Sequence, residues 1–166
     1  MSNLAILVDE QDAVLGTKDR FSIESGDIIR ISSLWLENDK GEVLLSKRSL
    51  QKKHDPGLWA AAAAGTLEPD ETYESNIYKE ADEEIGLKDT PFTGFKHWMF
   101  WRADGTGRYV TMYKAIVNKA ANEFTLQKEE VDEVRWFDKP YVRRRLKTHP
   151  QEFVGSAKSW EVMLLI

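Results

Sequence analysis

Residues 65–87, GTLEPDETYESNIYKEADEEIGL, constrain this chain more than any other stretch. Gly65 is followed after five residues by Glu71, and seven residues further on come Lys79 and Glu80. Glu80, Glu83 and Glu84 stand at i, i+3 and i+4, so on a helix their side chains share one face. Three carboxylates crowded in this way repel one another. The face must therefore be well solvated or must hold cations, and carboxylate oxygens suit the hard ions Mg²⁺ and Mn²⁺.

The local sequence predicts that helix. Thr72 is a good N-cap, and Glu74 places negative charge in the first turn. Tyr73, Ile77, Ala81 and Ile85 recur every four residues and make a core stripe beside the glutamate face. Gly86 suits the left-handed stop just past the end. Residues 65–71 then form a loop feeding the helix N-terminus, where backbone N–H groups and the helix dipole favour phosphate.

This segment resembles the signature of the Nudix hydrolases: Gly, five residues, Glu, seven residues, then Arg-Glu-apolar-x-Glu-Glu-x-Gly-apolar. Gly65, Glu71, Glu80, Glu83, Glu84, Gly86 and Leu87 match, Ala81 is a small version of the apolar position, and Lys79 stands where the family has arginine. The resemblance extends over roughly residues 4–138. The stretch VLLSKRSLQKKHDPGLWAAAAAGTLEPDET is similar to the branch that holds isopentenyl-diphosphate isomerase and its hydrolase-like relatives. It implies an α/β/α sandwich with a mixed β-sheet. It also implies a Mg²⁺ site built from Glu80, Glu83 and Glu84 with the Gly65 carbonyl, Mn²⁺ being an alternative ion. A further glutamate, Glu129 or Glu130, would join the metal site or act as base; Glu80 contends with that pair for the proton. Glu71 is better placed to pair with Lys79 and fix the helix against the loop.

The rest of the chain fits one domain over residues 1–166. Hydrophobic content of 42% argues for a folded globule, and a net charge of −5 argues against a protein devoted to nucleic acid. There is no cysteine, hence no disulfide, thiolate zinc site or cysteine nucleophile. No apolar stretch reaches membrane-spanning length and no secretion signal opens the chain, so a cytoplasmic protein acting on a small-molecule diphosphate is expected.

Strands are expected at 4–8, 13–15, 28–36 and 43–46, with a turn at 38–41. Five consecutive alanines, Ala60–Ala64, favour helix locally. The run is short and lies between two glycines, so 59–64 is read as a strand of small residues. Two further strands, 92–101 and 108–117, precede a last strand at 134–137. Pro140 opens a helix to about residue 147, and 153–166 is read as another. The apolar tail of that segment would dock onto the sheet or onto a partner in a homodimer.

Lys47, Arg48, Lys52, Lys53 and His54 cluster in an otherwise acidic protein. Arg48 is read as a grip on substrate phosphate, its fork suiting two oxygens. The two later lysines are read as solubilising, as are Arg143, Arg144 and Arg145, which point in different directions on a helix. The function read from the sequence is Mg²⁺-dependent hydrolysis of a diphosphate linked to another group, most simply a nucleoside. Two alternatives are a non-catalytic nucleotide-sensing module and isopentenyl-diphosphate isomerase chemistry. The isomerases use a cysteine in the strand before the signature, where this chain has alanines, and Ile29-Arg30 stands where they carry a metal-binding histidine.

Overall fold

The computed structural model describes residues 2–165. Its framework is one nine-stranded mixed sheet. In chain order the strands are β1 (Leu4–Val8), β2 (Val14–Asp19), β3 (Ile28–Glu37), β4 (Glu42–Arg48), β5 (Trp59–Ala61), β6 (Ala63–Thr66), β7 (Thr93–Trp101), β8 (Gly107–Ile116) and β9 (Val131–Asp138). The helices are α1 (Tyr73–Ile85), α2 (Lys139–Thr148) and the short α3 (Glu161–Leu164).

β3 is the spine. Its whole length pairs in parallel with β8, from Ile28↔Gly107 to Glu37↔Ile116. The other flank is shared by three antiparallel partners in turn: β1 at Ile28–Ile29, β6 at Ile31–Leu34 and β4 at Leu36–Glu37. The alternation along β3 sends Leu34 and Leu36 to one face and Trp35 to the other. Leu34, Leu36 and Leu44 meet Ile77, Ala81 and Ile85 of α1. Trp35, Val43 and Leu45 meet Val142 of α2 and the tail residues Phe153, Trp160 and Met163. The α/β/α layering expected from the sequence follows.

α1 carries the expected caps. Thr72 accepts from the Ser75 backbone N–H, and the Ser75 hydroxyl accepts from the Thr72 N–H at 2.9 Å. Gly86 closes the helix at φ 65°. The β1–β2 turn is also tied to this helix. Asp12, in the β1–β2 turn, accepts from Arg30 Nε at 2.8 Å and from the Tyr73 hydroxyl at 3.1 Å. Burial, with Asp12 next to it, pushes the Tyr73 phenol well above its usual range.

Two expectations are corrected. The alanine run is two strands, not one: β5 pairs with β4 and β6 with β3, with the break at Ala62. Ala62 itself bridges the two halves, donating to Leu34 O at 3.1 Å and accepting from the Ser46 hydroxyl at 2.6 Å. Tertiary pairing overrides the helix preference of alanine here. The second correction is the tail. Residues 150–152 and 155–160 are 3₁₀ turns, and only Glu161–Leu164 is α-helical. Phe153 bridges to Trp59, and Val154 N–H donates to Trp59 O at 3.0 Å, so the chain must stay extended there to reach β5. The buried Trp160, Met163 and Leu164 dock onto the sheet, Val162 and Leu165 face outward, and Ile166 lies outside the described residues.

Candidate active site

β6 and α1 pack against each other, and Gly65 lies against the Glu80 side chain. A Cβ at position 65 would stand 2.2 Å from Glu80 Cδ and 2.3 Å from its Oε1. Only glycine leaves room for that carboxylate. One turn further along the helix, Glu84 Oε2 accepts from the Ala64 backbone N–H at 3.2 Å. Glu80 and Glu84 therefore both lie along the strand edge at 64–65. Glu83 is exposed.

The charges in this corner are poorly balanced. Burial pushes the Glu80 carboxyl up to about 7; Lys79 works against the shift, and Glu83 and Glu71 add to it. Burial pushes Glu84 up to about 8, with Glu80 the next cause and Glu130 a smaller one. Among the described residues, the cation paired with Glu80 is Lys79, at 3.9 Å. Two enclosed carboxylates with this little compensation will take up protons or a cation. Their donor set, hard oxygens only, fits Mg²⁺ or Mn²⁺. Among the described residues, no three acidic, histidine or cysteine side chains converge on one point as a ready-made cation site.

Lys79 stands where the sequence places it. Its Nζ lies 2.5 Å from Glu71, 3.6 Å from Glu68 and 3.9 Å from Glu80. Burial works to raise Glu71, but the hydrogen bonds from Lys79, the Glu68 N–H and Asn76 hold its carboxyl below the usual range. Glu71 Oε2 accepts from the Glu68 N–H at 2.8 Å, so the loop is tied to itself and to α1. It begins only after Thr66, because Gly65 and Thr66 belong to β6 and not to the loop expected from the sequence.

Asn76 escaped the sequence reading. It is fully buried, and its Nδ2 faces Glu71 at 2.9 Å, Thr66 O at 3.3 Å and Glu80 Oε1 at 3.3 Å. Its Oδ1 accepts from the Ser32 hydroxyl of β3. It thus fixes strand, loop and Glu80 together. The available signal was its position: an amide directly beside Ile77 on the inward stripe, four residues before Glu80.

Of the two downstream candidates, the structure brings Glu130 to this corner. Glu130 pairs with Lys52, and both act on Glu84 electrostatically. Glu129 is exposed. Lys52, read from the sequence as solubilising, belongs to this electrostatic cluster. Arg48 spends its fork within its own loop: Nε and Nη2 donate to His54 O at 3.2 and 2.9 Å. His97 contacts Thr111 Oγ1 at 2.7 Å and Asp12 at 3.4 Å, away from the glutamates.

The NUDIX domain model matches residues 29–154. An isopentenyl-diphosphate Δ-isomerase of Salmonella paratyphi B is 28% identical over 162 residues, covering 95% of this chain and 87% of the relative. A solved Deinococcus radiodurans protein superposes with TM-score 0.79 at 18% identity, covering 92% of this chain and 93% of its own. A MutT protein of Methanosarcina mazei gives TM-score 0.62 at 19% identity, covering 86% and 96%. A match over most of the length, on a chain whose signature glycine and glutamates meet as β6 and α1 place them, means that the chain belongs to the Nudix hydrolase family.

Proposed function

We propose that the chain hydrolyses the diphosphate bond of a nucleoside diphosphate derivative or a related organic diphosphate, with Mg²⁺ or Mn²⁺ as cofactor. The observation that carries this reading is the pair of buried, under-compensated carboxylates, Glu80 and Glu84, laid against the Gly65 strand. Glu80 and Glu84 would hold the cation, with the Gly65 carbonyl and Glu83 as further oxygen donors. Bound there, it would neutralise diphosphate oxygens and acidify a water. Glu130 is the base favoured for the proton of the attacking water, Glu129 being the more exposed of the two. Substrate oxygens would draw Lys52 away from Glu130 and so release that carboxylate. Arg48 adds its remaining donors to the substrate side. A panel of organic diphosphates assayed with Mg²⁺, and again with chelator, tests the reading. Release of phosphate or pyrophosphate that disappears with chelator is expected; hydrolysis that survives chelation would overturn the metal assignment.

The 28% identical isomerases make isomerisation the second reading. The chain has no cysteine, Ala64 donates its backbone N–H to Glu84, and Arg30 is occupied by Asp12. Incubation with isopentenyl diphosphate should therefore give no dimethylallyl diphosphate by NMR; clear isomer formation would reverse the assignment. A nucleotide-sensing module, the other alternative, would bind without turnover in the same panel.

Lys79 gives a separate test. It is partly exposed, so its three carboxylate contacts together stabilise the protein by about 1 kcal/mol or less. Its main work is to hold the loop. Lys79→Ala should lower activity several-fold and speed amide hydrogen exchange at residues 66–71, whereas Lys79→Arg should keep both near the parent's values. Equal exchange in Lys79→Ala would remove the clamp.

A further inference from the structure

On the face of the sheet opposite α1, a cavity of about 220 Å³ lies between α2 and the C-terminal turns. Its floor is apolar, with Leu146, Ala157 and Leu164. Its rim carries three cations, Arg143, Lys147 and Lys158, against one carboxylate, Glu161. Glu161 is already engaged, at 3.9 Å from Lys147 Nζ. Among the described residues, Arg143 and Lys158 have no ion-pair partner, and Arg143 Nε is buried with no hydrogen-bond partner. A buried donor left unmatched costs stability. The helix dipole accounts for a cation such as Lys147 in the last turn of α2. It does not account for Arg143, earlier in the helix, or for Lys158 on a separate segment.

We propose that this cavity binds a small amphiphilic anion, with a carboxylate or phosphate group at Arg143 and Lys158 and a short aliphatic body over Leu146, Ala157 and Leu164. Charge complementarity selects the head group, and the apolar floor selects the body. The cavity volume of about 220 Å³ limits that body. Drug-sized ligands occupy larger pockets. The site is separate from the glutamate corner, because α1 packs on the Leu34 and Leu36 face of β3 while α2 and the tail pack on the Trp35 face.

Calorimetric titration of the full chain with hexyl phosphate and with hexanoate tests the proposal, using hexanol and inorganic phosphate as controls. At least one hexyl anion should bind saturably with a stoichiometry of one, and both controls at least tenfold more weakly. Which anion binds better tells a phosphate head group from a carboxylate. Arg143→Met and Lys158→Glu should each weaken binding at least tenfold, with folding checked by circular dichroism. Lys158 is exposed, so its variant carries the test should Arg143→Met fail to fold. Gly155 also lines the cavity, and a Cβ there meets nothing within 4 Å, so Gly155→Phe should block the site without a backbone clash. Glu84→Gln should bind as the parent does, which keeps this result independent of the hydrolase reading. Failure of both hexyl anions to bind, equal binding of hexanol or inorganic phosphate, or full binding by Lys158→Glu and Gly155→Phe would overturn the proposal.

Discussion

Glu84→Gln is expected to lower turnover on the best diphosphate by about 10²-fold or more, and to raise the melting temperature of the metal-free protein at pH 8. Both effects have one cause. The Glu84 carboxyl is enclosed, with Ala64 N–H donating to it at 3.2 Å and Glu80 one turn away. Burial first and Glu80 second push it from the ordinary 4.5 up to about 8. A carboxyl that holds its proton more tightly when folded contributes stability that is full below about pH 4.5 and is lost as pH rises to about 8. Glutamine is neutral throughout and keeps an acceptor for Ala64. The variant should therefore melt like the parent near pH 4 and above it at pH 8, while Mg²⁺ should stabilise the parent more than the variant. Unchanged turnover would remove this face from the chemistry. A variant less stable than the parent at pH 8 would mean that the carboxylate has a compensating partner.

Such a trade of stability for function is common at active sites, where charge is gathered for a ligand rather than for the fold. It also explains which parts of the molecule could be read from the sequence. α1 was legible because its caps, apolar stripe and stop residue are all local: Thr72, Ile77, Ala81 and Gly86 lie within one segment. The Lys79–Glu71 pair was legible for the same reason, the two being eight residues apart on a loop and the helix it feeds. The role of Asn76 was not, since it depends on Ser32 of β3 and on Thr66 O. Lys52 and Glu130 meet only because β4 and β9 lie side by side, from Glu42↔Asp138 to Arg48↔Val131. That Arg48 also holds a carbonyl six residues away in its own loop was not legible, because it depends on how that loop folds back. The tail was read as helix because nothing local shows that Phe153 must stay extended to reach Trp59.

Gly65→Ala should abolish most activity, by about 10²-fold, with little change in melting temperature. The added Cβ would stand 2.2 Å from Glu80 Cδ and 2.5 Å from Glu80 Cγ, so something must move. The strand cannot, because β6 is held to β3 at four positions, Ile31↔Thr66 to Leu34↔Ala63. The helix cannot, because Ile77, Ala81 and Ile85 are fully buried in the core beneath it. The mobile partner is the Glu80 side chain, whose carboxylate is the far end of a flexible chain. Swinging it outward relieves the clash and exposes a group that burial had pushed up to about 7, so the fold loses little. The site loses a carboxylate from its place beside Glu84. The double variant Gly65→Ala/Glu80→Gln should then be no less active than the worse of the two single variants, because both changes remove the same group. Losses that multiply would mean that Gly65 acts independently of Glu80, through its own carbonyl. A large fall in melting temperature for Gly65→Ala alone would mean that the strand has shifted instead of the side chain.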